Sequence, residues 1–152
     1  DMAGSSVERY ILLHEGEFAY NKGNSLTAPY GCIFSLDRPA AVVPFVYFCF
    51  ALHGDLNREF YVHLFAAGAL NRQLSRLINS GVRNDGLLNL SPDDFFACRI
   101  PVPPPDEQAK IAATLKAAKH EIALLDSELS ALRQQKRGLM QKLLTGEWRV
   151  LP

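Results

Sequence analysis

His14, Glu15 and Glu17 crowd an imidazole and two carboxylates into one short stretch, the side-chain types that hold metals or move protons. No HExxH spacing or second ligand cluster accompanies them, so the stretch supports neither a zinc site nor a general base. His53, Asp55 and His63 surround a helix start at Asn57, where caps and surface histidines are common. Asp93 and Asp94 follow Ser91-Pro92 and read as turn or cap chemistry rather than a carboxylate dyad. Cys32, Cys49 and Cys98 are an odd set without CxxC spacing, which argues against a disulfide framework and against zinc; they read as buried, reduced thiols of a cytoplasmic protein. Phosphate-binding glycine loops, a GxSxG elbow, a methyl-transfer fingerprint and a nuclease-like cluster are all missing. The expectation is a protein that is not an enzyme and that uses no metal or cofactor.

Binding chemistry is better represented. Net charge is zero, which by itself gives no support to a nucleic-acid partner, but the charges are unevenly placed. Between residues 60 and 84 the charged side chains are Arg72, Arg76 and Arg83, with no acid among them. Between 133 and 142 they are Arg133, Lys136, Arg137 and Lys142, again unopposed. Such runs are usually solvated faces. Against that, Arg dominates the first run, and its planar fork suits phosphates and guanine edges. By residue type, Asn21 would read adenine edges and Arg83, with Asn84 beside it, guanine edges. Lys22, Arg72 and Arg76 would take phosphates. Tyr20 either joins them at a loop tip or packs its ring at the loop base.

These residues need elements to hold them. Residues 7–13 read as a strand, and residues 17–25 begin as a strand and end in turn chemistry, presenting Tyr20, Asn21 and Lys22 outward. Residues 32–36 and 40–50 read as two further strands, Pro44 marking an edge or bulge in the second. Asn57 caps an amphipathic helix running to Gly81, its face made by Phe60, Leu64, Ala67, Leu70, Leu74 and Leu77, with Arg72 and Arg76 opposite. Residues 80–86 are a turn-rich loop, and residues 95–102 alternate like a strand. The fold class is α+β: a sheet-rich domain over residues 1–102 with one helix.

After a proline hinge at 103–105 the pattern changes. Ile111, Leu115, Ala118, Ile122, Leu125, Leu129, Leu132, Leu139 and Leu143 recur at alternating steps of four and three, with Lys136 the break. That is a coiled-coil seam, on a helix from Asp106 as N-cap to Gly146 as the residue past its end, followed by a tail at 147–152. About forty residues span roughly 60 Å. Such a stripe needs a second helix, which points to antiparallel homodimerisation. No apolar run reaches the roughly 18 to 20 residues of a membrane span, and the start lacks a signal-peptide layout.

Residues Pro101 to Val150 closely resemble the helical region of DNA specificity subunits of type I restriction-modification systems. The entry matches at Glu107-Gln108 and Ile111-Ala112. The exit matches at Lys136, Gly138-Leu139-Met140-Gln141 and Leu143-Leu144-Thr145-Gly146. Gly16 to Lys22, Gly81-Val82-Arg83 and Leu90-Ser91 with Asp93-Asp94-Phe95 are similar to that family's target recognition domain. The resemblance covers essentially the whole chain, although family members open the recognition domain with several dozen further residues and carry two domains and two helices. It implies a non-catalytic, cytoplasmic module that reads one half of a bipartite double-stranded DNA target. It would do so beside modification (methyltransferase) and restriction subunits, its long helices acting as a spacer. The competing reading is a coiled-coil scaffold whose α/β domain binds protein.

Overall fold

The computed structural model describes residues 10–22, 28–78 and 87–150. The chain forms two compact units, 1–112 and 113–152. The class is α+β, with two small antiparallel sheets plus helices, as the hydrophobic patterning predicts.

In the first unit, β1 (Tyr10–His14) pairs with β4 (Ala40–Pro44) in a two-stranded sheet, Tyr10 opposite Pro44 and His14 opposite Ala40. A second sheet runs β3 (Cys32–Ser35), β2 (Phe18–Asn21), β5 (Phe48–Phe50), with β2 in the middle. The single strand expected over 40–50 is thus two strands in different sheets. Pro44 lacks an N–H and ends the first, and a turn closes behind it, Tyr47 N–H donating to the Pro44 carbonyl at 3.0 Å.

A central strand is covered on both faces, so its alternation feeds two cores. Phe18 and Tyr20 enter an aromatic core with Phe48, Phe60, Phe65 and Phe95, while Ala19 faces the other way onto Leu13 and Leu36. The rings meet in stacked and edge-on pairs, Tyr20 on Phe95 at 4.4 Å and Phe18 edge-on to Phe65 at 5.4 Å, the arrangements that ring quadrupoles favour.

Two helices replace the one expected over 57–81: α1 (Arg58–Ala66) and α2 (Asn71–Leu77). Asn57 does cap the first, accepting the Phe60 N–H at 3.0 Å. Gly68, at φ +73°, then ends it. Its N–H reaches the Phe65 carbonyl and the Ala69 N–H reaches that of Leu64, a Schellman closure that only glycine adopts without strain. Arg58 donates to Ser35 Oγ and to the Leu36 carbonyl, tying α1 to the end of β3.

The strand expected over 95–102 is instead a five-residue helix, α3 (Pro92–Phe96), followed by backbone that joins neither sheet. Ser91 caps it through the Asp94 N–H, which draws Phe95 inward. The long helix, α4 (Pro105–Leu144), has Pro105 rather than Asp106 at its start, since the Gln108 N–H already bonds the Pro104 carbonyl.

Residues 101–105 are mostly proline, so they offer carbonyls with few N–H groups to satisfy them. The first unit supplies donors. Tyr61 Oη donates to the Pro101 carbonyl at 3.0 Å, and Gln108 Nε2 to that of Pro103 at 2.7 Å. Gln108 is buried, and its Oε1 accepts the Asn57 N–H at 2.9 Å. One amide thereby joins the α1 cap, the proline segment and the first turn of α4, where Ala112 is buried and Ile111 packs on the aromatic core.

The second unit is the rest of α4 and a short tail. Gly146 (φ +76°) closes the helix, and Lys142 Nζ lies 4.5 Å from the centre of the Trp148 ring and 3.2 Å from the Glu147 carboxylate. From Leu115 to Leu143 the seam leucines and Ile122 are 41 to 60 % exposed. Ile111 is therefore part of the domain core rather than of the open stripe. No helix among the described residues is long and apolar enough to cross a membrane.

Leaving the Asn57 N–H and the Pro103 carbonyl unpaired in Gln108→Ala should lower unfolding free energy by about 2 to 4 kcal/mol. Urea unfolding followed by the tyrosine near-ultraviolet signal measures it. Gln108→Glu should recover part of the loss in acid, where the protonated carboxyl can donate again; equal stability of wild type and Gln108→Ala would contradict the clamp.

Candidate nucleic-acid interface

The residues expected to read DNA are distributed by the strand order around β2. Tyr20 is fully buried, against the expectation of an outward tip. Two residues after Phe18 on the middle strand, it points to the same core, and its hydroxyl donates to the Tyr30 carbonyl at 2.8 Å. Burial pushes its phenol well above the ordinary range, with Cys32 and Cys98 adding to the rise. Tyr20 is therefore a core residue. Asn21 is half-buried at the end of β2, paired with Cys32.

Lys22 is also partly committed to packing. Its Nζ stands 5.0 Å from the centre of the Phe48 ring, a cation–π distance, and its carbonyl accepts the Leu88 N–H at 2.8 Å. Arg83 and Asn84 lie outside the described residues. The structure leaves Arg72 and Arg76 as the open pair: both are exposed on α2, one turn apart, and no carboxylate of a described residue pairs with either. The N-terminal half of α2 and the segment leading into β3 line one cleft of about 250 Å³, with Tyr30, Gly31, Cys32, Asn71 and Leu74 among its walls.

Sequence reasoning missed two polar side chains on this side of the fold. Gln73 is half-buried on α2 between the arginines, and its amide makes a reciprocal pair with the backbone of Arg99. Arg99 is itself exposed. The available signal was the alternation of Cys98, Arg99 and Ile100, two half-buried residues flanking a charged one.

A second, more apolar cleft of about 490 Å³ is lined by Phe50, Leu52, Leu56, Phe96, Cys98 and His53, among others. It is not a nucleophile's setting. The Cys98 thiol donates to the Asp94 carbonyl at 3.6 Å, and burial with the nearby Asp94 charge pushes its pKa up, the opposite of what an attacking thiolate needs. Partial burial raises the Cys49 thiol as well, whereas Cys32 is exposed, so the expectation of three buried thiols fails outright at Cys32 and is met only in part at the half-buried Cys49 and Cys98. His63 Nε2 lies 4.0 Å from the Glu59 carboxylate along α1 and has no hydrogen-bond partner among the described residues. Among the described residues no three His, Cys, Asp or Glu side chains gather as a metal site requires.

Comparison with family models, curated proteins and solved structures finds no match.

The Tyr20 environment has a pH consequence. A phenol whose pKa is raised by folding leaves stability intact below its unfolded value near 10 and removes it as pH rises from there toward the folded value. Because burial also raises the Cys49 and Cys98 thiols, urea midpoints should begin to fall at about pH 9 and fall more steeply above about pH 10. Tyr20→Phe should fall less steeply above about pH 10, Tyr61 and the two thiols carrying the remainder of the loss. An unchanged alkaline slope in Tyr20→Phe would contradict the assignment.

Proposed function

We propose that this chain is a DNA-reading half-module of the kind found in type I restriction-modification specificity subunits. In this reading the α+β unit recognises one half of a bipartite duplex target, and two long helices pair antiparallel to set the spacing of the halves. The observation that carries it is the stripe of seam residues from Leu115 to Leu143 left 41 to 60 % exposed on a 40-residue helix. An apolar seam of that length is satisfied by a second helix, and each side chain of this size that is buried contributes up to roughly 1.5 to 3 kcal/mol. A helix of roughly 60 Å holds two readers apart on the scale of one to two turns of B-DNA, whose repeat is about 34 Å. The exposed Arg72 and Arg76 suit the phosphate backbone.

The module performs no chemistry in this reading. It positions a methyltransferase and a restriction subunit, works on duplex DNA and is cytoplasmic. The resemblance of residues 101–150 to that family's helical region supports the same conclusion. The zero net charge and the apolar cleft beside Phe96 favour the other reading, a coiled-coil scaffold with a protein partner.

Light scattering and duplex binding on one preparation separate the two. The full chain should be a dimer at micromolar concentration and bind a mixed-sequence duplex with an affinity that falls steeply with salt. Ile122→Glu with Leu129→Glu should give a monomer that binds more weakly, because two linked readers have become one. A monomer at high micromolar concentration, or no salt-dependent DNA binding, would contradict the proposal.

A further inference from the structure

Arg99 sits where no charge run in the sequence would place a DNA contact, yet the fold fixes it against the arginine helix. Gln73 Oε1 accepts the Arg99 N–H at 2.9 Å, and Gln73 Nε2 donates to the Arg99 carbonyl at 2.7 Å. Both backbone groups of residue 99 thus turn toward α2, as they do on an extended strand facing a partner. Its neighbours Cys98 and Ile100 pack against the aromatic core, and this alternation sends the Arg99 side chain to solvent. On α2, Gln73 is three residues from Arg76 and so adjacent to it on the helix surface, and Arg76 is one turn from Arg72.

We propose that Arg99 joins Arg72 and Arg76 in a three-arginine phosphate clamp on duplex DNA, with Gln73 as the positioning residue that sets Arg99 beside the helix. The proposal rests on the DNA-reading function above. The three arginines are linked through Gln73, which follows Arg72 and precedes Arg76 on α2 and holds the Arg99 backbone; all three are exposed, and none is paired with a carboxylate of a described residue. The acids closest in sequence to Arg99 are on α3, and the Asp94 carboxylate there already accepts the Ser91 hydroxyl at 2.7 Å. An unopposed guanidinium keeps its full positive potential, and its fork matches two oxygens of one phosphate. Gln73 contributes without touching the nucleic acid: its double bond to the backbone removes the freedom residue 99 would have in an unpaired segment, so less order is lost on binding.

The test measures binding of a fluorescent mixed-sequence duplex to the full chain across a salt series, for wild type, Arg72→Ala, Arg76→Ala, Arg99→Ala, Gln73→Ala and Gln73→Glu, each checked for native circular dichroism. Each arginine removed should weaken binding several-fold at low salt and reduce the slope of log affinity against log salt by about one unit. Gln73→Ala should lose part of that slope with all three arginines present. Gln73→Glu keeps the acceptor for the Arg99 N–H but sets a carboxylate among the cations, and should bind more weakly than Gln73→Ala, the difference closing at high salt. If Arg72→Ala and Arg76→Ala weaken binding while Arg99→Ala and both Gln73 variants match wild type, the clamp is overturned and the DNA-reading function stands. If wild type shows no salt-sensitive binding, both are overturned.

Discussion

The buried amide of Gln108 is the contact on which the order of the chain turns. A segment of prolines has carbonyls to satisfy and almost no donors, and the first turn of the helix that begins at Pro105 has spare N–H groups, of which those of Glu107 and Gln108 serve the Pro104 carbonyl. Gln108 answers from within that turn, donating to the Pro103 carbonyl while its oxygen takes the Asn57 N–H. The Asn57 side chain, meanwhile, is occupied with the Phe60 N–H. The capping of α1 and the start of α4 are therefore one hydrogen-bonded arrangement. Neither helix can shift at that end without stranding a buried polar group, and this holds Ile111 and Ala112 in the aromatic core.

The same economy of placement governs the candidate binding residues. β2 is short and central, so Phe18, Ala19 and Tyr20 are all spent on the two cores, and exposed polar chemistry is displaced to the strand's end and to α2. Cations divide accordingly. Arg58 fastens α1 to β3 and Lys22 caps an aromatic ring, whereas Arg72, Arg76 and Arg99 pair with no carboxylate of a described residue. A neutral chain can in this way present a locally positive flank.

Long-period features were the legible ones. The apolar repeat from Leu115 to Leu143 is long enough to identify one continuous helix, and the α+β class follows from mixed periods in the first hundred residues. Asn57 and Ser91 caps were readable because their side chains bond backbone only a few residues away. What failed were features set by tertiary partners. Pro44 marks an interruption within 40–50 but does not say that the two halves join separate sheets, and an apolar period that continues past Gly68 conceals the helix break. Tyr20 looked like a loop tip because its role depends on β2 lying between β3 and β5, a fact of topology. Gln73 and Gln108 carried no periodic signal, since the partners that fix them are 26 and 51 residues away in the chain, and the alternation around Arg99 did not name α2 as its partner.

The proposed pairing of two long helices, with a DNA reader on each, constrains the DNA as well as the protein. Selection of bound duplexes from a random pool by the full chain tests it directly. The enriched sequences should contain two fixed, inverted half-sites separated by a spacer of constant length and free sequence, on the scale of one helical turn, about 10 base pairs centre to centre, or a small multiple of it. Enrichment of a single uninterrupted site, half-sites at variable separation, or no enrichment would contradict it.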